Sequence, residues 1–242
     1  MSDAWTMLQK RKRASGGTPV VTFVDLARRE RTELSAVSLE NAAAKIANAL
    51  RDEFEMEPGM RVGLHLPPHW QRSAWCAGAW VAGCIVVPGA TDADLLVASA
   101  TLAPGLVGGT REVAVVSMHP FGLPLTEPLP GGATDVTVAV RQQPDAYLFD
   151  PPRDDYAALE VAGTAFTQDE AFAAAAQRAS AWGLTAGGTL LVPEDLDDLD
   201  AWLGALAVPV SAEASVVLVT GGAPTDELRA GERITASAER SR

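Results

Sequence analysis

The sequence predicts an α/β fold of two similar lobes, with mostly parallel sheets flanked by helices. Three observations carry this. Residues 39–88 and 168–219 share one plan: alanine-rich helix, Gly-containing turn, apolar strand, Trp-containing helix, apolar strand. The turns Pro58-Gly59 and Ala186-Gly187 stand 128 positions apart, and a helix–strand–helix–strand unit used twice implies two related α/β lobes. The 242-residue chain is 48% hydrophobic and 21% charged, so it is globular and long enough for one large domain or two small ones.

Taken in order, residues 1–18 read as a flexible N-terminal segment. Residues 22–27 and 33–37 are short extended stretches. Ser38 can cap a helix running to about Phe54, because Leu39, Ala43, Ile46, Leu50 and Phe54 recur at three- to four-residue spacing. Pro58-Gly59 turns the chain into a buried strand over 62–66, stopped by Pro67-Pro68. Residues 69–83 read as a helix and 84–87 as the next strand, with further strands at 94–98 and 112–117. Residues 119–155 hold seven prolines and little periodicity, with one strand expected at 133–140. The resulting division is a first lobe over 19–118, a Pro-rich connector over 119–155, a second lobe over 156–235 and a flexible tail over 236–242. A short helix is expected around 227–232.

Composition removes several function classes. A net charge of −12 argues against a nucleic-acid partner, which would call for a basic face. The one basic run, Lys10 to Arg13, reads as a solvated tail. No apolar leader comes after that run, and the longest apolar stretch, 73–90, is interrupted by three glycines and a proline. The expectation is therefore a cytoplasmic protein with no membrane segment. Cys76 and Cys84 fall in that apolar stretch and read as small hydrophobes, with no disulfide.

Ligands on such sheets sit at strand carboxyl ends or between lobes. His69-Trp70 falls where the strand 62–66 gives way to a helix, whose N-terminus can meet an anion. His119 comes just after the strand 112–117 and could meet His69 across a crevice as a weak anion or acid–base pair. His69, Trp70 and His119 are thus the candidate ligand-binding residues. The plainer alternatives are that His69 caps its helix, Trp70 packs on the lobe, and Phe121 tucks a loop into the core. His65 and His69 have the spacing of two zinc ligands, but Pro67-Pro68 breaks any helix between them. The acidic run 194–200 reads as a solvated helix start rather than a metal site. Thr220-Gly221-Gly222 reads as a turn rather than a phosphate loop. No catalytic residue, metal or cofactor is expected.

Residues 21–88 resemble the opening of adenylate-forming enzymes, the AMP-binding acyl-CoA synthetase and ligase superfamily. The matching pieces are VTFVDLARR, SLENAAAKIANAL, MEPGMRVGLHLPPHW and AWVAGCIVVP. In the second half, FTQDEAFAAAAQRASAWGLTAGGTLLVP, DAWLGALAVPVSAEASVVLV and ELRAGERITAS look like the helices and strands that come after the family's phosphate loop. The resemblance implies lobes like the family's N-terminal lobes. The Ala- and Arg-rich, Lys-poor composition fits short relatives from high-GC bacteria. The family's loop is rich in Ser, Thr and Gly and ends in a lysine. Here the corresponding stretch, 154–172, has one glycine and no lysine. The resemblance and this departure from it together imply a binding or partner module that does not itself adenylate, with a nucleotide or acyl compound as ligand. The alternative is an enzyme of other chemistry, using His69 and His119 on a nucleotide, acyl or CoA-type ligand. A second lobe that stops short of the family's sheet also implies a homodimer or a protein partner covering it.

Overall fold

The computed structural model describes residues 3–108, 112–149, 155–196 and 198–238. The chain forms two compact units, Met1–Glu40 with Asp169–Arg242, and Asn41–Gln168.

The 41–168 unit holds a seven-stranded sheet. Its strands are β3 (Arg61–His65), β4 (Ile85–Pro88), β5 (Leu95–Ser99), β6 (Val113–Val116), β7 (Ala133–Asp135), β8 (Ala157–Val161) and β9 (Thr164–Thr167). They lie in the order β7-β6-β5-β3-β4-β8-β9, and every pair is parallel except the β8–β9 hairpin. The apolar runs that predict buried strands are buried: Val62, Leu64, Val86, Val97, Val113 and Val115 are 0–1% exposed. Such runs belong to strands covered on both faces. Ala93, Leu96, Ala98, Ala103, Val113 and Val115 form one core cluster of this unit. Helix α3 (Trp70–Val81) comes after β3, and Gly78 lets it approach helix α2 (Ala36–Asp52), because a Cβ on Gly78 would stand 2.5 Å from Ile46. Cys76 and Cys84 are free and buried. Burial pushes both thiols up, Cys84 to about 12 with the nearby Asp94 carboxylate adding to the effect.

The other unit holds a five-stranded sheet in the order β12-β10-β11-β1-β2. Its strands are β1 (Pro19–Asp25), β2 (Glu30–Ser35), β10 (Thr189–Pro193), β11 (Ser215–Thr220) and β12 (Ala236–Ser237). The β1–β2 pair is antiparallel and the rest are parallel. Val24, Leu191, Val217 and Val219 make its core cluster. Four further helices belong here: α5 (Gln168–Ala181), which opens at the boundary between the units, α6 (Asp198–Ala205), α7 (Ala207–Ser211) and α8 (Asp226–Gly231).

The two-sheet α/β architecture agrees with the sequence reading, and β3 and β10 are interior strands of their sheets. Several local expectations are corrected. Residues 4–15, expected to be flexible, form helix α1 (Ala4–Ser15), capped by the Asp3 side chain, which accepts from Thr6 N–H at 2.9 Å. The basic run on α1 is anchored rather than free. Lys10 pairs with Glu213 at 3.0 Å, Lys12 pairs with Glu40 at 2.7 Å, and Arg11 is 2% exposed. Its apolar residues, Ala4, Trp5, Met7 and Leu8, bunch in the first turns and do not recur along the basic run that comes next, so no helical period is there to read.

Residues 19–35 join the sheet built by the second half, not the 19–118 lobe expected from chain order, because β1 pairs with β11 over residues 21–25. Ser35, not Ser38, supplies the cap of α2, its Oγ accepting from Ser38 N–H at 3.1 Å. The strand expected at 133–140 divides into β7 and helix α4 (Thr137–Gln142). Both lie in the 41–168 unit rather than in a connector. The outer edge of β10 is paired by the chain's own β12, with Ala238 N–H donating to Leu191 O at 2.8 Å. The part of the expected tail at 239–242 lies outside the described residues. Among the described residues no helix is long and apolar enough to cross a membrane.

Candidate ligand-binding site

A cavity of about 210 Å³ opens in the 41–168 unit. It is bordered by Ile46 from α2, Trp70 and Trp75 from α3, Phe121 from the loop after β6, and Val136 and Thr137 at the start of α4.

Sequence-local chemistry places each wall. Pro67-Pro68 end the chain's extended run, and His69 becomes the N-cap of α3, its Nδ1 accepting from Gln71 N–H at 3.2 Å. A side-chain acceptor there satisfies a helix N–H that has no intrahelical partner. The cap fixes Trp70 at the first helical position. Gln71 Nε2 donates to Ser117 O at 3.2 Å and so ties the loop after β6 to α3. Within that loop His119 Nδ1 accepts from Phe121 N–H at 3.1 Å, and Gly122 N–H donates to His119 O at 2.8 Å. Gly122 has φ +56°, so this turn suits glycine. The result holds Phe121 outward, 81% exposed, at the cavity's lip.

The opposite wall is set by α2 and Asp135. Lys45 Nζ donates to Gln143 O at 2.6 Å and pairs with Asp145 at 2.6 Å. Asn48 Nδ2 donates to Pro144 O and Ala146 O at 3.1 and 3.0 Å. These bonds fix the segment after α4. Asp135 accepts from Thr137 N–H and Leu125 N–H, both at 2.9 Å, which starts α4 and holds the preceding loop.

The lining is mostly apolar, and Lys45, Gln71, Thr137 and Arg141 are its polar residues. Trp70 Nε1 and Thr137 Oγ1 are buried without a protein hydrogen-bond partner among the described residues. Thr137 as a whole is 8% exposed.

The structure thus separates the three residues singled out in the sequence. Trp70 borders the cavity. His69 is 3% exposed and caps α3, and His119 organises the Phe121 turn. Their strands, β3 and β6, are separated by β5 in the sheet. Phe121 is exposed rather than tucked into the core. Thr137 and Val136 escaped sequence reasoning because 133–140 read as one strand. The Asp135-Val136-Thr137 spacing, with a carboxylate two residues before a threonine, is the signal that could have marked a helix start.

Other candidates resolve as structure. His65 Nε2 donates to Ala90 O at 2.9 Å. At the end of β3, Arg72 donates to Leu66 O through Nε at 3.0 Å and Nη2 at 2.8 Å, and burial brings its guanidinium down to about 10. In the acidic run, Glu194 accepts from Gly221 N–H at 3.0 Å and Asp200 pairs with Arg178. Asp197 lies outside the described residues. Among the described residues no group of three or more His, Cys, Asp or Glu could hold a metal. The Thr220–Gly222 turn faces two carboxylates, since a Cβ on Gly221 would stand 2.6 Å from Asp25 Oδ1 and Glu194 takes its N–H. That surrounding repels a phosphate.

Before α5 the chain makes a tight hairpin. β8 turns into β9 through Ala162 and Gly163, at φ 51° and 78°. A two-residue turn with positive φ at both positions matches the strand twist. α5 begins at Gln168, the residue after β9 ends.

No protein-family profile matches the chain. It is 37% identical over 220 residues to a TIGR03089 family protein of Mycobacterium tuberculosis (strain ATCC 25618 / H37Rv), covering 88% of this chain and 87% of that protein. Its fold is similar to an acyl-CoA synthetase from Brucella canis, at TM-score 0.78 and 18% identity, covering 98% of this chain and 47% of that one. It is also similar to the N-terminal domain of FACL13 from Mycobacterium tuberculosis, at TM-score 0.71 and 16% identity, covering 97% of this chain and 62% of that one. A benzoate CoA ligase from Burkholderia xenovorans gives TM-score 0.71 at 18% identity, covering 96% of this chain and 48% of that one. The chain therefore spans about half the length of the full synthetases whose N-terminal fold it shares.

Proposed function

For a chain that belongs to the TIGR03089 protein family, we propose the role of a non-catalytic binding module. It keeps the α/β scaffold of the N-terminal half of adenylate-forming enzymes and uses it to hold a ligand rather than to activate one. The observation that supports this is the β8–β9 hairpin. Adenylate-forming enzymes need a Gly-rich loop at this place, with free backbone N–H groups and a lysine for the ATP phosphates. Here the backbone is paired as a ladder, from Ala157↔Thr167 to Val161↔Thr164, and only two residues link the strands. The chain's three lysines are Lys10, Lys12 and Lys45. Each makes an ion pair elsewhere, with Glu213, Glu40 and Asp145.

The cavity beside Trp70 is the binding site in this reading. The two histidines support scaffolding rather than acid–base chemistry, because each uses Nδ1 as an acceptor for a backbone N–H. The test is pyrophosphate exchange and CoA-thioester formation with ATP, CoA and a broad carboxylate panel. Homogeneous protein should give no AMP above a no-enzyme control. Sustained AMP formation that co-purifies with the chain overturns the proposal.

A further inference from the structure

Resting on the reading of the cavity beside Trp70 as a binding site, we infer that its occupant is Phe121 of a second copy of this chain. Two copies exchange these rings across a two-fold axis, and each ring fills the other copy's cavity. The contact lies on the 41–168 unit rather than on the second lobe.

The presented ring is the first observation. Phe121 is 81% exposed, whereas Phe149, the next most exposed phenylalanine among the described residues, is 49% exposed. The turn that carries it is built rather than loose. Phe121 N–H donates to His119 Nδ1 at 3.1 Å, Gly122 N–H donates to His119 O at 2.8 Å, and the His119 and Phe121 rings lie 5.8 Å apart. A rigid aromatic with few rotamers to lose is the kind of anchor that carries interface energy.

The receiving cavity is the second. Ile46, Trp75, Val116, Val136 and Val140 give apolar walls to a volume of about 210 Å³. An apolar cavity of roughly 150 Å³ accepts benzene. There is room here for a phenylalanine ring with its methylene, and Trp75 offers an aromatic face or edge for it to meet.

Placement is the third. Phe121 stands at the lip of this same cavity. A ring and a receiving cavity on one patch meet the condition for an isologous contact, in which one residue touches a second and that second touches the first. Such a contact closes at two copies, whereas a ring and cavity on different faces would build an open chain.

Charge permits the approach. The net charge of −12 makes two copies repel one another in general. The cavity lining holds Lys45 and Arg141 and no acidic residue. Lys45 is balanced by Asp145 at 2.6 Å, and the exposed Arg141 adds a positive charge. Two acidic chains therefore meet here with reduced repulsion.

The experiment is sedimentation of the full-length protein over a concentration series. An interface centred on two rings is small, so dimerisation is expected between roughly 1 μM and 1 mM. Phe121→Ala, a change at an exposed position, should weaken it at least tenfold. Ala42→Phe, which narrows the cavity from α2, should do the same. Mixing the two variants should restore association, because one keeps the ring and the other keeps the cavity. A monomer at every concentration overturns the inference. So does a dimer that Phe121→Ala leaves as tight, or a mixture no tighter than its separate components. If Ala42→Phe does not fold, isotope-filtered NOEs in a mixture of labelled and unlabelled unaltered protein decide. The Phe121 ring of one copy should reach the Ile46 and Val140 methyls of the other, and a dimer without those NOEs overturns the inference. AMP formation in the separate ATP assay would overturn the non-catalytic reading alone, so the two failures are distinguishable.

Discussion

At the residue scale, the sequence marked His69, Trp70 and His119, and the structure gives them unequal work. All three stand out because His and Trp are rare side chains at a strand end. Which of them borders the cavity depends on where each ring points, and that is set by partners elsewhere in the chain. His69 turns inward because the first N–H groups of α3 need an acceptor. This predicts a stability effect. His69→Ala should destabilise the protein by about 1 kcal/mol, the usual loss on removing a helix cap. His69→Asn should recover most of that loss, since asparagine is a good cap without imidazole chemistry. Urea midpoints at constant slope provide the measurement. A midpoint unchanged by His69→Ala, or left unrecovered by His69→Asn, would contradict the capping role.

At the element scale, long periodic helices and buried apolar strands were legible, and short elements were not. α3, α5, β3 and β10 each carry one dominant pattern. α1 fully buries only two apolar residues, Ala4 and Leu8, β7 has three residues, and α4 has six. Elements this short are stabilised by tertiary contacts more than by their own propensity. α3 also shows how a small residue can be a packing device. Gly78→Ala would gain up to about 1 kcal/mol of helix propensity. It would also press a methyl to 2.5 Å from Ile46 Cβ and Cγ2, and within 3.2 Å of Ala43 O. Overpacking of this kind costs about 1–3 kcal/mol. The expected net outcome is a loss, read as a melting temperature lower by several degrees in calorimetry. A neutral or stabilised variant would show that α2 and α3 separate easily.

At the scale of the whole molecule, chain order and spatial order part company. Met1–Glu40 belongs with Asp169–Arg242, because β1 inserts between β11 and β2. Deleting residues 1–35 would remove both strands and leave β11 as an edge. Amide exchange should then lose protection at residues 190–192 and 216–219, while β3 and β5 in the 41–168 unit keep theirs. A lobe spanning 19–118 would predict the reverse, with β3 and β5 destabilised by the same deletion. The pattern of protected amides separates the two outcomes.

The sequence by itself determined the α/β class, the order of the major helices and strands, and the charge that argues against a nucleic-acid partner. These come from local periodicity, turn residues and composition, all of which act over a few positions. It also marked Trp70, one wall of the cavity. Only the tertiary structure decided that β1 pairs with β11, Val21 against Val216, that β8 and β9 close as a hairpin ahead of α5, and that Thr137 borders the same cavity as Trp70. Strand partners and cavity walls are chosen by which apolar faces can be buried together. That competition involves the whole chain, and no short window of sequence contains it.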